Sequence, residues 1–435
     1  MATIQNIEIL PNNVPSDGKI KSNAGNPLLS FNIGSQNAFL NGASLRIQGK
    51  LNVYKTGTTR PVTGENIRIN SRLGVLGCFE QLNIESMKYK TDLETINNYN
   101  RMLSSYLSNV SNVQDHIATL SQTHGTCPNW KLNTESNLLS ENNYFCTSLP
   151  SGLLSFGMIP LSETNGVGGM TLNLNLAASE SFLFGTNGST ADVADAYYEL
   201  EDCRLIAEIT TPDPETLQKL MTAKQNSITF NTVYGDYATI NSTNAIINRS
   251  LGVSNCLGVF INFVKDEFLN TKSADSLSTY PIINNVSPSN IREIIFLKDG
   301  VKYPNDYSLE TNFKTNSNVA ATDPQRVEIF KNSIMANKHT KNNSLISPLT
   351  DNRIFKSRAS GLNPVDKAPN TGPTFGLGVA YNTLPGGDGV DFKSSNFGLQ
   401  LDVDLDTNSA NAIYIFAHHK QTLLMSGNQG VQVMK

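Results

Sequence analysis

The sequence predicts an all-β protein built from two antiparallel β-sandwich domains with a few short inserted helices. Three observations lead there. From Phe397 to Asp406 the residues alternate without a break: Phe397, Leu399, Leu401, Val403 and Leu405 are apolar, and Gly398, Gln400, Asp402, Asp404 and Asp406 lie between them. A period of two over ten positions places every apolar side chain on one face of a strand. After a short polar loop, Thr407–Asn411, the run Ala412–His419 is apolar at Ile413 and Ile415 and also at Tyr414 and Phe416. A strand of that kind is covered on both sides. Midway along the chain, Thr211-Pro212-Asp213-Pro214-Glu215 makes a break with a helix start built in, and similar strand patterns lie on either side of it.

The elements follow in order. Residues 1–26, rich in Pro, Asn, Gly and Ser, read as an extended arm too poor in apolar residues to form a core element. Leu45–Tyr54 is the first good strand, with Leu45, Ile47, Leu51 and Val53 alternating against Arg46, Gln48, Lys50 and Asn52, and Gly74–Met87 reads as another. Thr91 and Glu94 have the spacing of a capping box, and Leu93, Ile96, Tyr99, Leu103, Tyr106 and Val110 recur at helical spacing, which predicts a helix over Thr91–Val110. Met170–Leu176 and Tyr197–Thr210 alternate as strands. Asp213 then caps a helix over Asp213–Lys224, with Pro214 in its first turn and Leu217, Leu220 and Met221 as its apolar stripe. Strand signals return at Ile228–Val233, Cys256–Val264 and Ile291–Leu297. Asp323-Pro324 opens a third helix over Asp323–Ala336, and Lys341–Thr374 reads as a long loop.

The domains are therefore expected at 27–212 and 213–435, the second beginning with the linking helix. A local match points to duplication: Ile69-Asn70-Ser71-Arg72-Leu73-Gly74-Val75 recurs as Ile247-Asn248-Arg249-Ser250-Leu251-Gly252-Val253, with Cys78 and Cys256 at the same offset.

Composition agrees with an architectural role. The 435 residues suffice for two domains of about 200 each. Only 16% are charged, against roughly 25% in ordinary soluble proteins, and polarity comes instead from amides and hydroxyls, including 53 asparagines. Such residues favour turns and strand edges. A low-charge surface also suits contact with neighbours, since desolvating charge is costly. The net charge is −4, and Lys338-His339-Thr340-Lys341 is the nearest approach to a basic patch, so no footprint for sequence-specific nucleic-acid binding is expected. No apolar run approaches the length of a membrane span, and Met1–Ile20 has no secretory pattern, so N-x-S/T triplets such as Asn187-Gly188-Ser189 are products of the composition. The five cysteines, Cys78, Cys127, Cys146, Cys203 and Cys256, are odd in number and scattered, as expected of free thiols in a reducing compartment.

None of the constellations that carry chemistry is complete. His124-Gly125-Thr126-Cys127 puts a base near a thiol in sequence, without the microenvironment a nucleophile requires. Asp402, Asp404 and Asp406 share one strand face, whereas glycosidase carboxylates face each other across a sugar. They read as a solvated face that discourages edge pairing rather than as a calcium site. Gly386-Gly387-Asp388-Gly389-Val390-Asp391 imitates one calcium-binding β-helix repeat, but a single copy with Lys393 in place of an apolar residue is a glycine turn. Gly166-Val167-Gly168-Gly169 precedes a strand, not the helix a dinucleotide loop needs. His418 and His419 alternate across a strand, so at most one faces a given ligand. No catalytic, cofactor or metal residue is assigned.

Four segments resemble a known family. They are Leu28–Tyr54 (LLSFNIGSQNAFLNGASLRIQGKLNVY), Leu73–Leu107 with FEQLNIES running into LETINNYNRMLSSYL, Tyr198–Thr211 (YELEDCRLIAEITT), and Val390–Gly427 with VDFKSSNFGLQLDVDL and NAIYIFAHHKQTLLMSG. In order and spacing the chain resembles the double jelly-roll major capsid proteins of polinton-like viruses, adintoviruses and virophages. The resemblance implies two consecutive eight-stranded jelly rolls side by side, and a homotrimer whose six rolls form a pseudo-hexagonal capsomer of an icosahedral double-stranded DNA virus shell. It implies a virion protein assembled inside the host cell and not secreted. Penton proteins, minor capsid or cement proteins and an internal membrane are the neighbours it implies. The arm of residues 1–26 would then reach under a neighbouring capsomer. The competing class is a carbohydrate- or receptor-binding spike of β-sandwich type, which would need an exposed aromatic platform; the chain has one tryptophan, Trp130. A hydrolase on the same scaffold ranks third, for want of converging carboxylates.

Overall fold

In the computed structural model, residues 2–435 are described except 26, 61–66, 71–72, 111–142, 186–192, 266–268, 270, 273–275, 278–288, 311–376, 382–387, 406–410 and 428–429. The expected helix at Asp323–Ala336, the Lys341–Thr374 loop, and His124, Cys127 and Trp130 lie outside the described residues.

Two face-to-face sheets make up the first sandwich. One runs Thr3–Ile9, Ala196–Thr211, Phe39–Lys55, Asn143–Ser148, with Lys19–Lys21 also on Ala196–Thr211 and Met158–Pro160 on Phe39–Lys55. The other runs Leu28–Ile33, Met170–Leu176, Phe79–Ser86, Asp92–Asn97. All pairs are antiparallel. With the strands counted one to eight along the chain, Thr3–Ile9 and Lys19–Lys21 together being the first, the orders are 1-8-3-6 and 2-7-4-5.

The second sandwich repeats both orders. Asn226–Ile240, Asn411–Ser426, Cys256–Lys265 and Leu377–Ala380 form its 1-8-3-6 sheet, and Gly430–Met434 adds to Asn411–Ser426. Asn244–Arg249, Phe397–Leu405 and Ser289–Lys298 carry on into a fifth strand split between Val301–Lys302 and Leu309–Glu310. Two Greek keys interleaved over a pair of sheets define a jelly roll. The duplication lies in this strand order and not in the local sequence match. Ile69–Val75 precedes the fourth strand of its sandwich, whereas Ile247–Val253 straddles the end of the second strand and the turn before the third.

Alternation drives the sheets as read. Met170, Leu172, Leu174 and Leu176 are buried while Thr171, Asn173 and Asn175 face outwards. Several asparagines pair there across strands, with Asn83 donating to Thr95 at 2.9 Å and Asn173 to Asn83 at 3.4 Å. Phe397, Leu399 and Leu401 are fully buried in the second core, and Asp402, half-buried, sits opposite Asn244.

Three expectations are corrected. Asp92–Asn97 is a strand paired with Phe79–Ser86, and the helix begins only at Tyr99, after Asn98 turns the backbone to φ 53°. The apolar spacing at 93, 96 and 99 fits a helix, but the sheet claims the first two positions, and tertiary pairing overrides local propensity. Gly74–Cys78 forms a buried 3₁₀ turn, so the expected strand Gly74–Met87 shortens to Phe79–Ser86. The segment expected as an arm holds the first strand: Thr3–Ile9 pairs in register from Thr3↔Thr211 to Ile9↔Leu205. Ile7 and Ile9 pack against the core and Ile20 is buried. An edge strand needs few apolar residues, because one of its edges and much of its surface stay in water. The linking helix forms over Pro214–Thr222 as read, with the Asp213 carboxylate accepting from the amides of Glu215 at 3.1 Å and Thr216 at 3.0 Å.

Candidate functional surface: the seam between the sandwiches

The contact between the two sandwiches is the most completely built interface among the described residues. The Asn411–Ser426 strand has two apolar faces. Ile413, Ile415 and Ala417 line the core of the second sandwich, while Ala412, Tyr414 and Phe416 on the opposite face belong to the core cluster that continues into the first. Phe260 stacks on Phe416 at 4.9 Å on that same face. The strand covered on both sides is therefore the wall between the two sandwiches.

Polar groups fix the register of the seam. Glu94, on the fifth strand of the first sandwich, is 1% exposed. Its carboxylate accepts hydrogen bonds from the Ser151 hydroxyl, the amides of Gly152 at 3.0 Å and Leu153 at 3.2 Å, and Thr232 Oγ1 of the second sandwich at 2.5 Å. Burial pushes this carboxyl above its ordinary pKa, and the hydrogen bonds from Ser151, Thr232, Leu153 and Gly152 oppose that shift. Two glycines permit the close approach. A Cβ on Gly152 would stand 1.9 Å from the Asn231 carbonyl oxygen, and one on Gly235 would stand 2.5 Å from that of Asn97.

Further along, Arg101 donates from Nη1 to the Ser276 carbonyl at 2.5 Å and lies 4.5 Å above the Tyr414 ring. Asn262 Nδ2 donates to the Arg101 carbonyl at 2.8 Å, and Gln421 Nε2 donates to that of Leu93. Lys272, almost fully buried, reaches the carbonyls of Ala194 at 3.1 Å and Ala196 at 2.8 Å. At the opposite end, Asn165 Nδ2 caps the linking helix on the carbonyls of Leu220, Met221 and Ala223, and Asn165 Oδ1 accepts from the Gly427 amide at 2.9 Å. Buried polar groups satisfied in this way specify one relative placement of the two sandwiches.

The residues singled out in the sequence are not brought together. Asp391 accepts from the Lys393 amide and the Ser394 hydroxyl within its own turn, and Val390 exchanges both backbone bonds with Cys256. Gly168 and Gly169, at φ 69° and 75°, turn the chain into the Met170–Leu176 strand. His418 and His419 are both buried, the first 4.9 Å from the Phe260 ring. Among the described residues no group of three or more His, Cys, Asp or Glu is placed to hold a metal ion, and no helix is long and apolar enough to cross a membrane. Cys78, Cys146, Cys203 and Cys256 form no disulfide, and Cys127 lies outside the described residues. Sequence reading missed Arg101, Asn165 and Lys272, and took Glu94 for part of a helix cap. Glycine at positions 152 and 235 is the trace such a seam leaves in a sequence.

Solved structures share this architecture from end to end. The PBCV-1 virus capsid in its quasi-atomic model matches with a TM-score of 0.60 at 11% identity, covering 99% of this chain and 96% of that one. The Faustovirus major capsid protein matches with a TM-score of 0.58 at 9% identity, covering 98% and 91%. The Sputnik virophage structure at 3.5 Å resolution by cryo-EM matches with a TM-score of 0.51 at 9% identity, covering 99% and 88%. No protein-family model matches the chain, and no curated protein sequence does. At these identities the likeness establishes the fold: two jelly rolls in tandem.

Proposed function

We propose that this chain is a major capsid protein, the repeating unit of an icosahedral shell around a double-stranded DNA genome. One observation carries the reading: two sandwiches of identical strand order, joined by a buried apolar seam into a single body, match proteins of viral capsids over nearly the whole of both chains. Two similar units in one polypeptide let three copies present six similar sides, so a single subunit type satisfies hexagonal packing. The chain acts as a homotrimer that associates laterally with its own kind and, at special positions, with penton and minor capsid proteins. Its place is the virion, and its work is assembly without turnover.

Mass measurement of the purified protein together with electron microscopy tests this. Trimers that assemble into hexagonal arrays or closed particles are expected. A stable monomer at high concentration that binds glycans overturns the reading in favour of a spike-type β-sandwich protein.

A further inference from the structure

Thr3–Ile9 lies at the end of its sheet, paired on one side with Ala196–Thr211 and, among the described residues, with no strand on the other. In the isolated chain its outer edge turns a row of backbone donors and acceptors to water. Natural sheets blunt such an edge with lysines, prolines or bulges. This edge has none of the three. The register runs unbroken from Thr3 to Ile9, and Thr3–Leu10 contains neither lysine nor proline. Its single charge, Glu8, is held by Arg204 at 3.1 Å. The corresponding strand of the second sandwich, Asn226–Ile240, is packed against the first, with its Asn231 carbonyl against Gly152 and its Gly235 against the Asn97 carbonyl.

The side chains along this edge have a pattern. Ile7 and Ile9 pack against the core, whereas Ile4 and Leu10, on the alternate positions, are 64% and 67% exposed. Laid antiparallel against a second copy of itself, the segment has one register that answers this pattern. With Ile7 opposite Ile7 on a two-fold axis, Ile4 of each copy faces Leu10 of the other, and Asn6 faces Glu8. Paired positions are an even number apart, so each face stays on its own side. Both exposed aliphatic side chains are then covered, and the Asn6 amide meets the one carboxylate of the strip. With Asn6 on the axis instead, Ile4 would face Glu8; with Glu8 on the axis, two carboxylates would face each other. Pro11, which has no amide hydrogen, follows Leu10 and ends the ladder where its last pair is made.

We propose that Thr3–Leu10 pairs antiparallel with the same segment of a second copy of this chain, joining two first sandwiches into one continuous sheet across a two-fold axis. The inference rests on the capsid reading for its purpose, since trimers that tile a surface need a further contact between them. An isologous contact of this kind closes at two copies and does not run on as a fibre. Main-chain hydrogen bonds supply the attachment, and the alternate side chains supply the register.

Paired charge substitutions in the full chain test the register. Ile4→Lys with Leu10→Lys sets lysine against lysine at both ends of the ladder. It should raise the concentration at which trimers associate about tenfold or more, read by sedimentation and by micrographs of arrays. Ile4→Lys with Leu10→Glu sets lysine against glutamate and should restore association. Both double variants should melt with the wild type, because both sites are open to water in the subunit. Arrays that form as readily with two lysines overturn the pairing and leave the capsid reading intact, and so does an equal loss in both variants. Dimers without trimers, lost in the first variant and restored in the second, uphold the pairing and overturn the capsid reading. A wild-type protein that remains a monomer overturns both.

Discussion

Thr232, on the first strand of the second sandwich, donates a hydrogen bond of 2.5 Å to Glu94, on the fifth strand of the first. The two residues are 138 positions apart in sequence and fully enclosed. This link joins a buried carboxylate to a hydroxyl whose position depends on the other domain having folded.

Removing the carboxylate strands two backbone amides and two hydroxyls in the seam. Glu94→Ala should therefore cost about 3 kcal/mol, read as a lower denaturant midpoint. Glu94→Gln separates charge from shape. The folded state holds the Glu94 proton to a higher pH than the unfolded chain, so its contribution is complete below the ordinary value of 4.5 and declines as pH rises through the raised one. The wild type's advantage over Glu94→Gln should be largest near pH 4.5 and shrink towards neutrality.

Gly152→Ala is the corresponding steric test. Its methyl would meet backbone, the Asn231 carbonyl, where no side chain can rotate away. A loss of about 2 kcal/mol or more is expected in chemical denaturation. Gly25→Ala, with nothing within 4 Å of the new methyl, should melt with the wild type.

His419 sets the response to acid. Burial lowers its pKa from 6.5 to about 4, so the unfolded chain takes up a proton first as pH falls. Stability contributed above pH 6.5 is lost progressively down to about pH 4, on the order of 3 kcal/mol in all. A His419→Gln variant should show a flatter stability profile between those values, with the opposite slope of Glu94 left in place.

Deleting residues 2–10 should destabilise the first sandwich, because it strips Thr3–Ile9 from the edge of Ala196–Thr211. The exposed edge would also favour aggregation. A lower melting temperature and reduced solubility are expected. An unchanged melting curve would mean that the segment contributes to assembly alone.

What the sequence showed plainly was whatever depends on near neighbours. Alternation exposed Met170–Leu176 and Phe397–Leu405, and the double apolar run at Ile413–Phe416 announced a wall with two sides. The Asp213-Pro214 pair marked the linking helix because a cap needs only the next three residues. What stayed hidden depends on distant ones. Nothing near Arg101 foretells Ser276, and nothing near Leu93 foretells Gln421, 328 positions away. The spacing of Leu93, Ile96 and Tyr99 suits a helix, and only the distant partner Phe79–Ser86 turns the first two positions into a strand. The first strand escaped notice because an edge needs little more than Ile7 and Ile9 to stay in place.

The wall at Asn411–Ser426 also bears on the order in which the chain comes together. It is the eighth strand of its sandwich, yet it sits between the first and the third, and its far side closes the flank of the first sandwich. During synthesis, nearly two hundred residues of the second unit emerge before the strand that unites them. Until then Phe260 and Val264 lack Phe416 and Ala412, and the first unit carries an uncovered greasy flank. Contacts of such long sequence separation form slowly, and exposed apolar surface invites wrong partners in the interval. The nearest wrong partner for such a surface is an unfinished twin on the same message, so this topology makes a shielding chaperone most useful in the final moments of translation.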